Sequence, residues 1–125
     1  MALLKIDNMR IWHTPRSFLE DTLQKIYHSI DGESELARAL VYYDEVDYIG
    51  GVFYMDKLSE SSSRYFFHTL LGVVDRFISL GPSSFESLIL TQYRSPIDAY
   101  MTILSKYAEL VCLLEQHFQE MKVSN

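Results

Sequence analysis

Apolar residues recur along this chain mostly at steps of three and four, the period of helices buried on one side. Phe18, Leu19, Thr22, Leu23, Ile26, Tyr27 and Ile30 form one such face, with Glu20, Asp21, Gln24 and Lys25 opposite. Thr14 is placed to cap this helix, Pro15 suits its first turn, and Gly32 follows its end. A second long helix is expected from about Ser61 to Leu80, closed by Gly81-Pro82. Phe66, Leu70, Val73, Val74 and Phe77 define one of its faces, and Phe67, Leu71 and Ile78 another. Gly72 inside it costs about 1 kcal/mol relative to alanine, which suggests close helix packing there. Ser83 to Glu86 reads as a capping box opening a shorter helix that runs to about Gln92. The strongest helical signal comes last. Ser95 is a good N-cap, Pro96 fits the first position, and Asp98 sets a carboxylate among the unpaired amides. Ile97, Tyr100, Met101, Leu104, Tyr107, Val111, Leu114, Phe118 and Met121 then form its stripe, which Ile103, Leu110 and Leu113 widen. A stripe this broad implies a central helix with more than one neighbour.

Residues 33–57 carry two competing patterns. Glu33 to Val46 fits a helix with Leu36, Leu40, Tyr43 and Val46 inward. Leu40 to Tyr43 and Tyr48 to Met55 are nevertheless rich in β-branched and aromatic residues, and Gly50-Gly51 suits a bend or bulge. The preferred reading is a helix to about Asp47, a break at the glycines, then a short helical or extended piece. The fold class expected is therefore all-α, a single-domain bundle of four or five helices over residues 1–125, with 39–55 a broken helix or a short hairpin.

Composition narrows the class. The chain has 125 residues, 48% hydrophobic and 22% charged, the profile of one globular domain. One cysteine, Cys112, excludes a disulfide scaffold. The N-terminal stretch meets a charge at Lys5 and no long apolar run follows, so neither a signal peptide nor a membrane span is expected. A cytoplasmic location follows as the expectation.

Charge changes the picture more. The net charge is −6, which disfavours direct contact with a phosphate backbone. Between Asp31 and Glu60 lie eight carboxylates against Arg38 and Lys57 alone. That excess of six equals the net charge of the entire molecule. The same segment holds Tyr42, Tyr43, Tyr48 and Tyr54, four of the nine tyrosines.

Candidate chemistry is sparse. His13, His28, His68 and His117 show no i, i+3 or i, i+4 spacing, so no local metal site is written and no cofactor is expected. Arg64 and His68 resemble the Arg-x(4–6)-His signature of helical ribonucleases of the HEPN type, but only three residues separate them here. Cys112, among Val111, Leu113 and Leu114, reads as a small core residue. No Gly-x-Ser-x-Gly turn presents a serine for attack. Asp44-Glu45-Val46-Asp47 lacks the alternating ligands and central glycine of a calcium loop.

A docking surface is the remaining use for this segment. Tyrosine offers large contact area at low entropy cost, and carboxylates accept charge-assisted bonds from Arg and Lys. Asp44, Glu45, Asp47 and Asp56, with Tyr42, Tyr43, Tyr48 and Tyr54, are the expected contacts for a basic protein partner. In this profile the chain resembles the small acidic immunity proteins of bacterial toxin systems, including contact-dependent growth inhibition. The resemblance implies a non-enzymatic inhibitor of a cognate toxin domain, a nuclease in the first instance, bound one to one through those residues. Two rivals remain open: a helical adaptor using an apolar groove, and a helical nuclease or hydrolase built on a histidine beside a carboxylate.

Overall fold

A computed structural model of the chain describes residues 1–82 and 95–124. Its elements in order are β1 (Ala2–Lys5), β2 (Ile11–Thr14), α1 (Arg16–Tyr27), α2 (Glu35–Glu45), β3 (Val52–Tyr54), α3 (Glu60–Leu80) and α4 (Pro96–Ser124). The architecture is mostly helical, but the all-α expectation is corrected by a three-stranded sheet in the order β2-β1-β3. β1 and β2 form an antiparallel hairpin, with Ala2 opposite Thr14 and Lys5 opposite Ile11. β3 joins β1 in parallel, with Leu3 opposite Val52 and Lys5 opposite Tyr54.

The strands alternate as a one-sided sheet must. Ala2, Leu4, Trp12, Thr14 and Phe53 are buried against the helices, while Lys5, Ile11 and His13 look away from that core. Each strand spans only three or four residues, too few for a period of two to stand out. The segment 39–55 is no hairpin but the preferred reading, a helix broken at Gly50-Gly51 and followed by an extended piece. α2 stops at Glu45, a 3-10 turn covers Asp47–Ile49, and the chain then straightens into β3.

Two capping expectations fare differently. Thr14 does not cap α1: it pairs with Ala2 in the sheet, its side chain points inward, and Pro15 takes the capping position without a side-chain bond. Ser95 does cap α4, accepting from the Asp98 amide at 3.2 Å, and α3 is capped by Ser59, which was not singled out from the sequence, accepting from the Ser62 amide at 3.2 Å. Glu35 reaches back from α2 to accept from the Ser59 amide at 3.0 Å and its hydroxyl at 2.9 Å, tying the starts of α2 and α3 together. Those bonds hold the Glu35 carboxyl below its ordinary pKa. α3 ends where Gly81 turns to φ +70°, a conformation costly for any side chain.

α4 runs 29 residues, roughly 43 Å at 1.5 Å each, and packs on both α3 and β2. Its inward line is Ala99, Ile103, Tyr107, Leu110, Leu114 and Phe118, rotated from the predicted stripe, so Ile97 and Met101 are exposed. The rotation explains Cys112: two residues past Leu110 is about 200° around the helix, and the thiol is exposed instead of buried. Val46 lies beyond the end of α2 and is exposed rather than inward. Gly72 is not a close-packing point, because an added Cβ there meets nothing within 4 Å. The proposed short helix of Ser83 to Gln92 lies outside the described residues.

Aromatic side chains fill the centre. Phe18 meets Trp12 and Tyr107 edge-on at 5.7 and 5.1 Å, and Phe77 stacks on Tyr100 at 4.9 Å. Two reciprocal bonds clamp β2 to α4. The Trp12 indole donates to the Lys106 carbonyl at 3.2 Å, and the Lys106 ammonium donates to the His13 carbonyl at 3.0 Å.

Candidate functional site

The eight residues expected to meet a partner divide on folding. Tyr43 belongs to the core: it is 3% exposed and edge-on to Phe53 at 6.0 Å. Burial raises its pKa, and its hydroxyl has no hydrogen-bond partner among the described residues. Tyr43 is therefore removed from the docking set, because a helix that buries Leu36 and Leu40 must also bury the residue three further on. Asp56 is engaged by Lys5 at 3.3 Å, and Tyr54 is half-buried with the Lys57 ammonium 4.3 Å above its ring. Both serve contacts within the fold.

Tyr42, Asp44, Glu45, Asp47 and Tyr48 remain. Asp44 and Glu45 occupy the exposed last turn of α2, which has no basic residue, and Asp47 opens the 3-10 turn after it. Helix carbonyls give that end partial negative charge, so both carboxylates add to it unfavourably. None of the three acids makes an ion pair or a side-chain hydrogen bond among the described residues. By contrast, Glu35, Asp56 and Glu60 elsewhere in the acidic segment each have a partner.

Folding also adds what sequence reasoning missed. Val41, Val46 and Ile49 are exposed beside Tyr42 and Tyr48, with Ile49 at 72%. Five exposed apolar or aromatic side chains thus interleave with three unpaired carboxylates over residues 41–49. The signal was available: once Leu36, Leu40 and Tyr43 face inward, positions 41, 42 and 45 must face out.

This rim is tied to the sheet and to α1 by hydrogen bonds. Arg16, at the start of α1, donates to the Ile49 carbonyl at 3.1 Å. The Gly51 amide reaches the carbonyls of Asp47 and Tyr48, both at 3.1 Å, and the Gly51 carbonyl accepts from the Leu3 amide at 2.7 Å. Gly51 has φ +69°, and a Cβ there would lie 3.0 Å from the Arg16 guanidinium. A side chain at 51 would therefore displace the Arg16 clamp. Compared with known proteins, the chain matches no family model, no curated relative and no solved structure.

A histidine does meet a carboxylate, away from this rim. His117 Nδ1 lies 2.8 Å from Asp7 Oδ2, which also accepts from the Arg10 guanidinium at 2.9 Å. Asp7 Oδ1 accepts from the amides of Met9 and Arg10, both at 2.8 Å, and Arg10 continues to Glu120. With both oxygens doubly engaged, the network is a latch holding the β1–β2 turn to the end of α4. Arg64, half of the ribonuclease-like pair, is bonded to Glu60 at 3.0 Å and lies over the Phe118 ring. Among the described residues no group of three histidine, cysteine or carboxylate side chains could hold a metal, and no helix is long and apolar enough to cross a membrane.

The latch predicts a pH effect. Burial pushes the Asp7 pKa up, but the bonds from His117, Met9 and Arg10 outweigh it and hold the carboxyl below its ordinary value of 3.8. A depressed native pKa adds stability above the unfolded value, and that stability is lost as pH falls through the native one. Asp7→Asn is expected to cost roughly 1–2 kcal/mol at pH 7, with the deficit shrinking as pH falls below the ordinary value of 3.8. Urea unfolding at pH 7 and across the acid range below 3.8 checks this; a deficit independent of pH would assign the loss to something other than the charge.

Proposed function

We propose that this protein is a non-enzymatic inhibitor of a basic protein, acting as an immunity protein that covers the active site of a cognate toxin domain. One observation carries the reading: among the described residues Asp44, Glu45 and Asp47 are left unneutralised beside an exposed apolar patch, on a turn clamped by Arg16. Carboxylates placed against a helix dipole cost the fold stability. Their use lies in the field they project, which speeds encounter with a positively charged surface. Tyr42, Tyr48 and Ile49 supply large contact faces, and the Arg16 clamp reduces the ordering cost of binding. A nuclease suits such a surface because the cleft that holds nucleic-acid phosphates is cationic, and carboxylates can occupy it. Such an inhibitor works in the cytoplasm, where a nuclease toxin meets its substrate.

The test is to capture the partner by pull-down from the native host, then follow complex formation and hydrogen exchange with the captured domain. A one-to-one complex that inhibits the domain and protects amides of residues 41–49 supports the reading. Protection confined to another face overturns the assigned interface, and absence of a complex overturns the immunity role.

A further inference from the structure

A groove of about 1140 Å³ runs between α1, α3 and α4, and none of residues 41–49 lines it. Its floor is apolar: Phe18, Val73, Phe77, Ile103 and Tyr107. Its charged lining is Lys25, Arg76 and Lys106 against Asp21 alone, an excess of cations in a molecule of net charge −6. Lys25 is paired with Asp21 at 2.9 Å, and Lys106 holds the His13 carbonyl. Arg76 is exposed and makes no ion pair or hydrogen bond among the described residues.

Gly72 is the second, independent observation. It sits mid-way along α3, lines the groove, and has nothing within 4 Å of where a Cβ would stand. Its φ is an ordinary helical one and no neighbour needs the space. Among the described residues nothing needs that space, and glycine there loses helix propensity. It leaves the wall of the groove flat and clear. The α1 wall of the groove runs from Ser17 to Lys25, roughly 12 Å at 1.5 Å per residue.

We propose that this groove binds an elongated amphipathic ligand with an anionic head, a long-chain carboxylate or phosphate monoester. The alkyl chain lies along the flat wall at Gly72 and Val73, and the head is received by Arg76, with Lys25 also in the lining. Apolar floor and cationic lining together exclude a neutral hydrocarbon or a cationic amphipath as the preferred occupant.

Isothermal titration of the full-length protein with laurate, dodecyl phosphate and dodecyltrimethylammonium, each below its micellar concentration, tests the assignment. Both anions should bind, with the cation at least tenfold weaker, and the tighter anion names the head group. Gly72→Leu should fold normally, since the space is open, and weaken anion binding tenfold or more. Arg76→Gln, at an exposed position, should weaken the anions and leave the cation unaffected. Gly72→Ala should raise the melting temperature, showing that the fold does not require the glycine. Equal binding of anion and cation, or unchanged affinity in both Gly72→Leu and Arg76→Gln, overturns the proposal. Replacing Asp44, Glu45 and Asp47 should leave these titrations unchanged, so the groove and the docking rim stand or fall separately.

Discussion

Trp12→Ala is expected to lower the melting temperature by roughly 10 °C or more, the largest stability loss of any single truncation in this fold. Trp12 is fully buried, edge-on to Phe18, and bonded through its indole N–H to the Lys106 carbonyl. Truncating a buried tryptophan typically costs about 3–5 kcal/mol, and each kcal/mol shifts the midpoint by about 2–8 °C in domains near this size. The effect should exceed simple cavity cost, because Trp12 joins β2 to α4 beside the bond from Lys106 to the His13 carbonyl. Trp12→Phe keeps most of the apolar volume and gives up the indole bond, so its loss should be well under half as large. The Lys106 carbonyl remains in its helix and is not orphaned by that change. Thermal unfolding followed by circular dichroism measures both variants. Equal losses would mean that the hydrogen bond, and not the packed volume, dominates at this site.

Neutralising Asp44, Glu45 and Asp47 together, as Asn, Gln and Asn, should slow association with the cognate domain tenfold or more at low salt. The salt dependence of the on-rate should flatten with it, since fewer charges are left to screen. The free protein should become slightly more stable, because two of these carboxylates oppose the α2 dipole and none has a partner to lose. Each is worth about 0.3–1 kcal/mol in such a position. Opposite signs in binding and stability make the outcome specific: a variant that binds poorly because it is misfolded would melt earlier. Stopped-flow association at two salt concentrations, with a thermal melt of the free variant, supplies both numbers. An unchanged on-rate would remove these acids from the interface.

The four helices were open to sequence reasoning because their signals are local. Ser59 and Ser95 find amides three residues on, Gly81 stops α3, and the period of Leu19, Leu23 and Ile26 needs no knowledge of any other segment. The sheet is different in kind. Leu3 acquires its strand partner at Val52, nearly fifty residues away, and nothing in Ala-Leu-Leu-Lys announces that pairing. Thr14 shows the competition directly, since the capping role favoured locally lost to a hydrogen-bonded register with Ala2.

The acidic and tyrosine-rich character of residues 31–60 is likewise a property of composition, visible before any folding. Which members of that segment stay available to a partner is a question of neighbours in space. Tyr43 was drawn inside by the turn of α2, Asp56 was claimed by Lys5 from another strand, and Ile49 was left outside by the Arg16 clamp. Charge adds up along a chain whatever its shape, whereas exposure and pairing depend on contacts between residues far apart in it. The chain alone thus determined that an acidic surface exists, and the packing of α1, α2 and the sheet decided which side chains form it.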